Sequence, residues 1–444
     1  RVAAAPVAAS PTRSADAPSP PAPATAVMTP SSAPTRPYDD AQFARALDLA
    51  EHHGASDVLI ASGHAVRLRV GGTLMELDDV ILDEPGCEAL FEPAKPLLAT
   101  GDVVIGHVEV PHTRRGVEQS TDVPAPPADP AHLQGLADAG FHVATLAGNH
   151  IADSGPAGIE DTVATLRGLG LATTGAGPNL PAALQPAVVE CGGRRVGVLS
   201  YNCVGPRESW ATSRKAGCAY VQVLTHYELD YASPGGPPRI YTFAAPESLE
   251  AMEADIAALQ ARADIVVVAL HKGLGHVPAR VEHYERAVSR AAIDAGADIV
   301  IGHHAHILRG IELHRGKPIY HGLGNFVTVT RALSVEANAS PERLAWAKRR
   351  QELFGFAPDP AMPTYPFHPE SRHTLVAHCS VGSDGTLEAG FVPCWIDAQA
   401  RPVPMTRSSG GEATVEYVRR ISQAAKLAAR FEWRDEHVVN VLPA

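Results

Sequence analysis

The sequence predicts an α/β protein built on mixed sheets, and three features carry that reading. Between about Leu77 and Phe326, short near-continuous apolar runs recur: "DVVIGHV", "FHVATLAG", "RVGVLSY", "DIVVVALH" and "DIVIGHH". Runs of this kind are expected of strands covered on both faces. The intervening segments carry helix punctuation: "GIEDTVATLRGLG" stops at Gly170, "PESLEAMEADIAALQARA" opens on Pro246 and "RVEHYERAVSRAAIDAG" stops at Gly296. Finally, "AVVECGGRRVGVLSY" and "GIELHRGKPIYHGLGNF" read as hairpins with Gly-containing turns, so antiparallel strands must join the parallel ones.

Taken in order, residues 1–37 are dominated by Ala, Pro, Ser and Thr, which bury too little apolar surface to offset the entropy of ordering, and predict a disordered tail. Residues 38–76 predict a helix and then a hairpin turning at Gly71-Gly72. The alternating region, 77–327, is the main domain. Residues 328–444 read as an extension that completes it. They comprise an irregular helical insertion to about residue 372, the hairpin "HTLVAHCSVGSDGTLEAGFVPCWID" and a closing amphipathic helix, "EATVEYVRRISQAAKLAARF".

Composition narrows the partners. The 444 residues carry a formal charge of −12 with no Lys/Arg block, which argues against nucleic acid or an anionic membrane surface. No apolar run approaches the roughly 20 residues of a membrane-spanning helix, and the cytoplasm is the default compartment. The 6 cysteines are too widely spaced for a zinc knuckle or redox pair, and read as small buried hydrophobes.

The polar residues fall where chemistry is expected. Metal-capable side chains follow five apolar runs: Asp79, Glu109, Asn149 with His150, His271, and then His304 with His306. Ligands of open α/β sheets bind outside the carboxyl ends of the strands, so residues scattered in sequence would meet there. Two carboxylates, an amide oxygen and several imidazoles suit Mn, Zn or Fe and are too nitrogen-rich for calcium. His304 and His306 would face opposite ways within a strand, but beyond its end both can turn to one ion or flank two. His107, His112, His303, His314 and His321 are expected behind the ligands or on the surface.

"LDDVIL", "GDVVIGHVEVP", "LAGNHIADSGPAGIEDTVATLRGLGLATTGAG", "VVVALHKG" and "AGADIVIGHHAHILRGIELHRGKPIYHGLGNF" together resemble, in order and spacing, the CapA-type branch of the calcineurin-like metallophosphatase superfamily, the poly-γ-glutamate capsule biosynthesis proteins. The resemblance implies a four-layered αββα sandwich with one or two divalent ions, Mn, Zn or Fe. Asp79 stands at the family's first metal aspartate, Glu109 at its next carboxylate, Asn149 at its amide ligand, and His271, His304 and His306 at its histidine ligands. There are departures: Asp78 precedes Asp79 where glycine is usual, Ile81 stands where phosphatases have a further histidine, His107 replaces the usual Asn, and "GNH" replaces "NNH".

The activity implied is that of a metal-dependent hydrolase acting on a peptide, poly-γ-glutamate-like or phosphoester substrate. His150 would protonate the leaving group and Lys272 would stabilise developing negative charge. A second reading is a metal-dependent epimerase of ribosomal peptides, because the fold is similar to such actinobacterial enzymes and the Ala/Pro/Arg-rich composition fits a GC-rich genome. A third is a non-catalytic scaffold for polymer biosynthesis. Residues 206–238, with Trp210, Tyr220 and Tyr227, offer a lid or an ordinary surface insertion.

Overall fold

The computed structural model describes residues 89–115, 125, 127–228, 238–330, 334 and 341–444, together with the strands at 57–59, 64–70 and 73–82 without their side chains. The expected N-terminal tail and the helix over 38–54 lie outside the described residues.

The described part begins with strands β1 (Asp57–Leu59), β2 (His64–Val70) and β3 (Thr73–Leu82), an antiparallel meander in which Val70 pairs with Thr73. Next come β4 (Ile105–His107), β5 (Val143–Thr145), helix α1 (Gly155–Gly168) and β6 (Ala172–Thr174), the three strands parallel. The two-residue β7 (Ala176–Gly177) leads to the hairpin of β8 (Ala187–Cys191) and β9 (Arg194–Asn202). Strand β10 (Gly217–Cys218) pairs back to β7, and β11 (Val223–Glu228) pairs with β12 (Arg239–Ala244) as a separate ribbon. Helix α2 (Pro246–Gln260), β13 (Ile265–Lys272), helix α3 (His283–Asp294) and β14 (Ile299–His304) follow, and then the hairpin of β15 (Leu308–His314) and β16 (Lys317–Leu323). The extension supplies helix α4 (Pro341–Phe354), β17 (His373–Val381), β18 (Leu387–Ile396), β19 (Pro402–Pro404), helix α5 (Glu412–Ala424), β20 (Arg430–Trp433) and β21 (Val439–Leu442).

The central sheet runs β15-β16-β14-β13-β9-β8, parallel from β16 to β9 and antiparallel at both edges, which makes it mixed as expected. Its strands read as continuous apolar runs because both faces are buried. From β13, Val266, Val268 and Leu270 pack on Met252, Ile256 and Leu259 of α2 and Val288 and Ala292 of α3. The alternate residues Val267 and Ala269 face the other way, toward Val143 of β5, Leu375 of β17 and Phe391 of β18. Beyond β5, Ala144 and Leu146 meet Ile159 and Leu166 of α1. The order is therefore helices α2 and α3, the six-stranded sheet, a facing layer of β4-β5-β6 and β17-β18-β21-β20, and helix α1: the αββα sandwich. Helix α5 packs Val415, Val418 and Ile421 into the core between the sheets.

This layering sets two carboxyl-terminal strand edges against each other. β4 and β5 contribute from one sheet, and β13 and β14 from the other. Within the six-stranded sheet, the neighbouring strands β14 and β16 come close at Gly302, where an added Cβ would come 2.2 Å from the backbone oxygen of His321. Backbone cannot yield as a flexible side chain can, so Gly302→Ala is expected to lower stability by about 1–3 kcal/mol, read as a lower urea midpoint. An unchanged midpoint would contradict this packing.

Candidate metal centre

The two-residue alternation of β13 decides which of its last residues reaches the centre. His271 lies on the face of Val267 and Ala269, between the sheets, and is 1% exposed. Its Nε2 is 2.7 Å from Asn149 Oδ1, 3.2 Å from His304 Nδ1 and 3.6 Å from Glu109 Oε1. Glu109 Oε1 is also 3.7 Å from His306 Nε2, and it is buried without a hydrogen-bond partner. His306 Nδ1 lies 2.9 Å from Asn325 Oδ1. An amide oxygen can only accept, so Nδ1 carries the proton and Nε2 keeps the lone pair. Glu109, Asn149, His271, His304 and His306 thus come together from four separate stretches of chain.

Local backbone geometry explains how two histidines two residues apart reach one place. His304 and His306 have φ of +86° and +53°, a region that side chains other than glycine occupy at a cost of order 1–3 kcal/mol. The strand ends at His304, and these turns bring both rings to the same side.

Burial sets the charges. It lowers His304 to about 4, and lowers His107 and His303 to about 3. His271 is pushed far down by burial and then by its neighbouring imidazoles. For Glu109, burial acts upward, but His306 and the other imidazoles outweigh it and hold the carboxyl below its usual range. The centre therefore offers neutral imidazoles and an ionised carboxylate, the forms that bind metal.

A pH dependence follows. The unfolded chain protonates these histidines near pH 6.5, whereas the metal-free fold resists until about pH 3 to 4. With more protons on the unfolded state, stability falls as pH falls, by up to about 1.4 kcal/mol per pH unit for each such histidine. Urea midpoints of the metal-free protein should decline between pH 7 and pH 5; a flat profile would contradict the assignment.

His150 stands beside the ligand cluster. Its Nδ1 is 2.7 Å from Asp153 Oδ2, which also accepts from the Ala125 N–H at 2.6 Å. Burial acts to lower His150, but the Asp153 hydrogen bond and the Glu109 charge raise it overall. Lys272 is a different case and corrects its expected role. One residue beyond His271, it faces the helices, fully buried, with Nζ 3.6 Å from Glu285 Oε2 of α3 and 3.0 Å from His321 Nδ1. It cannot stabilise charge at a centre on the opposite face of its strand. Asp79 falls within β3, in an irregular stretch between the pairs Val66↔Leu77 and Ala65↔Ile81, rather than past a strand end. Its side chain lies outside the described residues.

Two participants, Asn325 and Asp153, carried no role in the sequence expectations, while His107 and His303 were expected behind the ligands or on the surface. Asn325 orients His306 and is itself held by the Tyr365 hydroxyl, which accepts from its Nδ2 at 3.1 Å. Asp153 orients His150. His107 and His303 stack at 4.5 Å between ring centroids, behind His271. Period-two alternation was the available signal for His107, since it places Ile105 and His107 on one face of β4. Asp153 sits 3 residues from His150, whereas Asn325 is 19 residues from His306, beyond the reach of local pattern. In the candidate lid, Trp210 stacks on Tyr220 at 4.3 Å, and Tyr227 of β11 is 60% exposed. Among the described cysteines, Cys203, Cys218 and Cys394 are buried, Cys191 and Cys379 partly so, and all are free thiols.

The candidate centre thus lies in a four-layered mixed α/β sandwich, with His, Glu and Asn side chains gathered at the strand ends. The chain belongs to the bacterial capsule synthesis protein family PGA_cap, whose family model matches residues 68–330. It is 34% identical over 192 residues to a probable polyglutamine synthesis accessory protein of Mycobacterium tuberculosis, covering 42% of this chain and 45% of that protein. It is 28% identical over 249 residues to the PGA biosynthesis protein CapA of Bacillus subtilis, covering 56% and 58% of the two chains. With the capsule biosynthesis protein CapA of Bacillus anthracis it shares 26% identity over 250 residues, covering 56% and 55%. The chain thus spans about half the length of these curated relatives. Among the described residues, no helix is long and apolar enough to cross a membrane.

Proposed function

We propose that this protein is a metal-dependent hydrolase acting on amide bonds of a peptide or poly-γ-glutamate-like polymer. The observation that carries the reading is the crowding at His271 Nε2, which has three Lewis-basic atoms within 3.6 Å. One proton on that nitrogen can serve only one of them, and the remaining lone pairs face one another at a cost that a cation would remove. Glu109, Asn149, His271, His304 and His306 fit a divalent ion with mixed nitrogen and oxygen preference, Mn, Zn or Fe, one or two in number. Such an ion would acidify water and polarise a carbonyl or phosphoryl oxygen.

The chain's own residues supply the proton traffic. Asp153 fixes the His150 ring through Nδ1 and favours the protonated imidazole, leaving Nε2–H to give a proton to a departing amine. The Ala125 N–H fixes Asp153 in turn. Amide chemistry is preferred to phosphoester chemistry because Lys272, the cation nearest in sequence, is tied to Glu285 behind the sheet. The names of the relatives, which refer to capsule and polyglutamine synthesis, support the same substrate class.

The test is to load the protein separately with Mn, Zn or Fe and offer a γ-glutamyl oligomer, a phosphoester and a linear peptide in deuterium oxide, following masses. Metal-dependent γ-glutamyl fragments support the reading. Phosphate release alone would move the substrate to phosphoesters, one-unit mass gain without cleavage would replace hydrolysis by epimerisation, and inertness toward all three with unimpaired metal binding would favour a scaffold.

A further inference from the structure

Behind the cluster just described, three more ring nitrogens face a common space. His107, His271 and His303 each offer one nitrogen, and the three atoms lie within 4.8 Å of one another. The hydrogen bonds define two of the tautomers. The Thr145 hydroxyl donates to the Gly106 carbonyl at 3.2 Å, so at 3.1 Å it accepts from His107 Nδ1–H, and the lone pair of His107 is on Nε2. His271 donates through Nε2 to Asn149 Oδ1, which leaves its lone pair on Nδ1. His107 Nε2, His271 Nδ1 and His303 Nδ1 are all buried with no hydrogen-bond partner. Gly148 borders this space without closing it, since a Cβ there would sit 3.2 Å from His107 Nε2.

Buried ring nitrogens without a hydrogen-bond partner are rare and cost about 1–3 kcal/mol each, whichever tautomer the ring adopts. Three side by side, from β4, β13 and β14, call for a cation. We propose that His107, His271 and His303 form a second metal site, all nitrogen, for a borderline divalent transition ion of the zinc or copper kind. Three imidazoles with an open fourth position are a known zinc arrangement, and imidazole suits copper equally. Thr145 serves as the outer partner that fixes a ligand tautomer. His271 belongs to both sites: with both ions bound, each ring nitrogen ligates one, and the Nε2 proton leaves to solvent.

The experiment isolates this site from the first one. The His304→Ala chain, which disables the Glu109 cluster, is dialysed against zinc and assayed by elemental analysis, and loaded with copper(II) for electron paramagnetic resonance. The expected result is one tightly held ion per chain, with hyperfine structure from several nitrogens. Adding His107→Asn, or in a separate chain His303→Asn, should lower retained metal at least tenfold, with circular dichroism confirming the fold. Retention unchanged in both double variants, or no tight ion in the His304→Ala chain, overturns the proposal. Hydrolysis enters none of these readouts, so the outcome is distinct from that of the proposed activity.

Discussion

Replacing His304 by alanine is expected to lower metal-dependent hydrolysis by about 10³-fold or more, since several kcal/mol of transition-state stabilisation depend on a correctly held ion. Its Nδ1 is one of the three atoms crowding His271 Nε2, and its strained φ of +86° exists to place that atom. Glu109→Gln should behave similarly at nearly constant volume, because it removes the only carboxylate among the described ligands while keeping an oxygen. Asn325→Ala should be milder. It leaves every ligand in place but frees the His306 ring, and loss of such an outer partner costs about 10–100-fold in metal affinity or activity. Rates measured at saturating metal, beside the metal affinities, separate these cases. A His304→Ala chain with ordinary activity would contradict the assignment.

Glu285→Ala is expected to be among the most destabilising substitutions in the chain. Glu285 is buried at the start of α3, where Oε1 accepts from Arg309 Nη2 at 3.0 Å and Oε2 lies 3.6 Å from Lys272 Nζ. Both cations are also buried, at 1% and 0% exposure. Removing their carboxylate strands two charges away from water, and breaking a buried pair in this way costs about 3–5 kcal/mol. Thermal unfolding should fall by roughly 10 °C, with the metal affinity of the surviving folded chain little changed. Lys272→Met should be tolerated better than Glu285→Ala, because Glu285 and Arg309 keep each other as partners at 3.0 Å. Large catalytic loss in Lys272→Met without loss of stability would instead return Lys272 to the catalytic centre.

The contrast between His271 and Lys272 also marks what the sequence could and could not convey. The strand itself was legible from "DIVVVALH", because burial on both faces demands a continuous apolar run. The meeting of Asn149 and His271, 122 residues apart, followed from a rule about strand ends rather than from local pattern. Lys272 was misplaced because adjacency in sequence was taken for adjacency in space, whereas a strand sends neighbours to opposite faces. The hairpins at Gly192-Gly193 and Arg315-Gly316 were legible because turn chemistry is local. The positive φ of His304 and His306 was not, since tertiary packing imposes it. His107 and His303 were expected behind the ligands or on the surface, and only the opposition of two sheets reveals that their unpartnered nitrogens share a space with His271.

The central claim is that five side chains from four stretches of chain hold a divalent ion between the two sheet edges. Anomalous X-ray diffraction from crystals grown with manganese or zinc, recorded on both sides of the metal's absorption edge, tests it most directly. The prediction is a peak about 2.0–2.3 Å from Glu109 Oε1, Asn149 Oδ1, His271 Nε2, His304 Nδ1 and His306 Nε2. A fully loaded crystal whose metal peaks all lie elsewhere, with these five atoms paired to one another or to water, would contradict it.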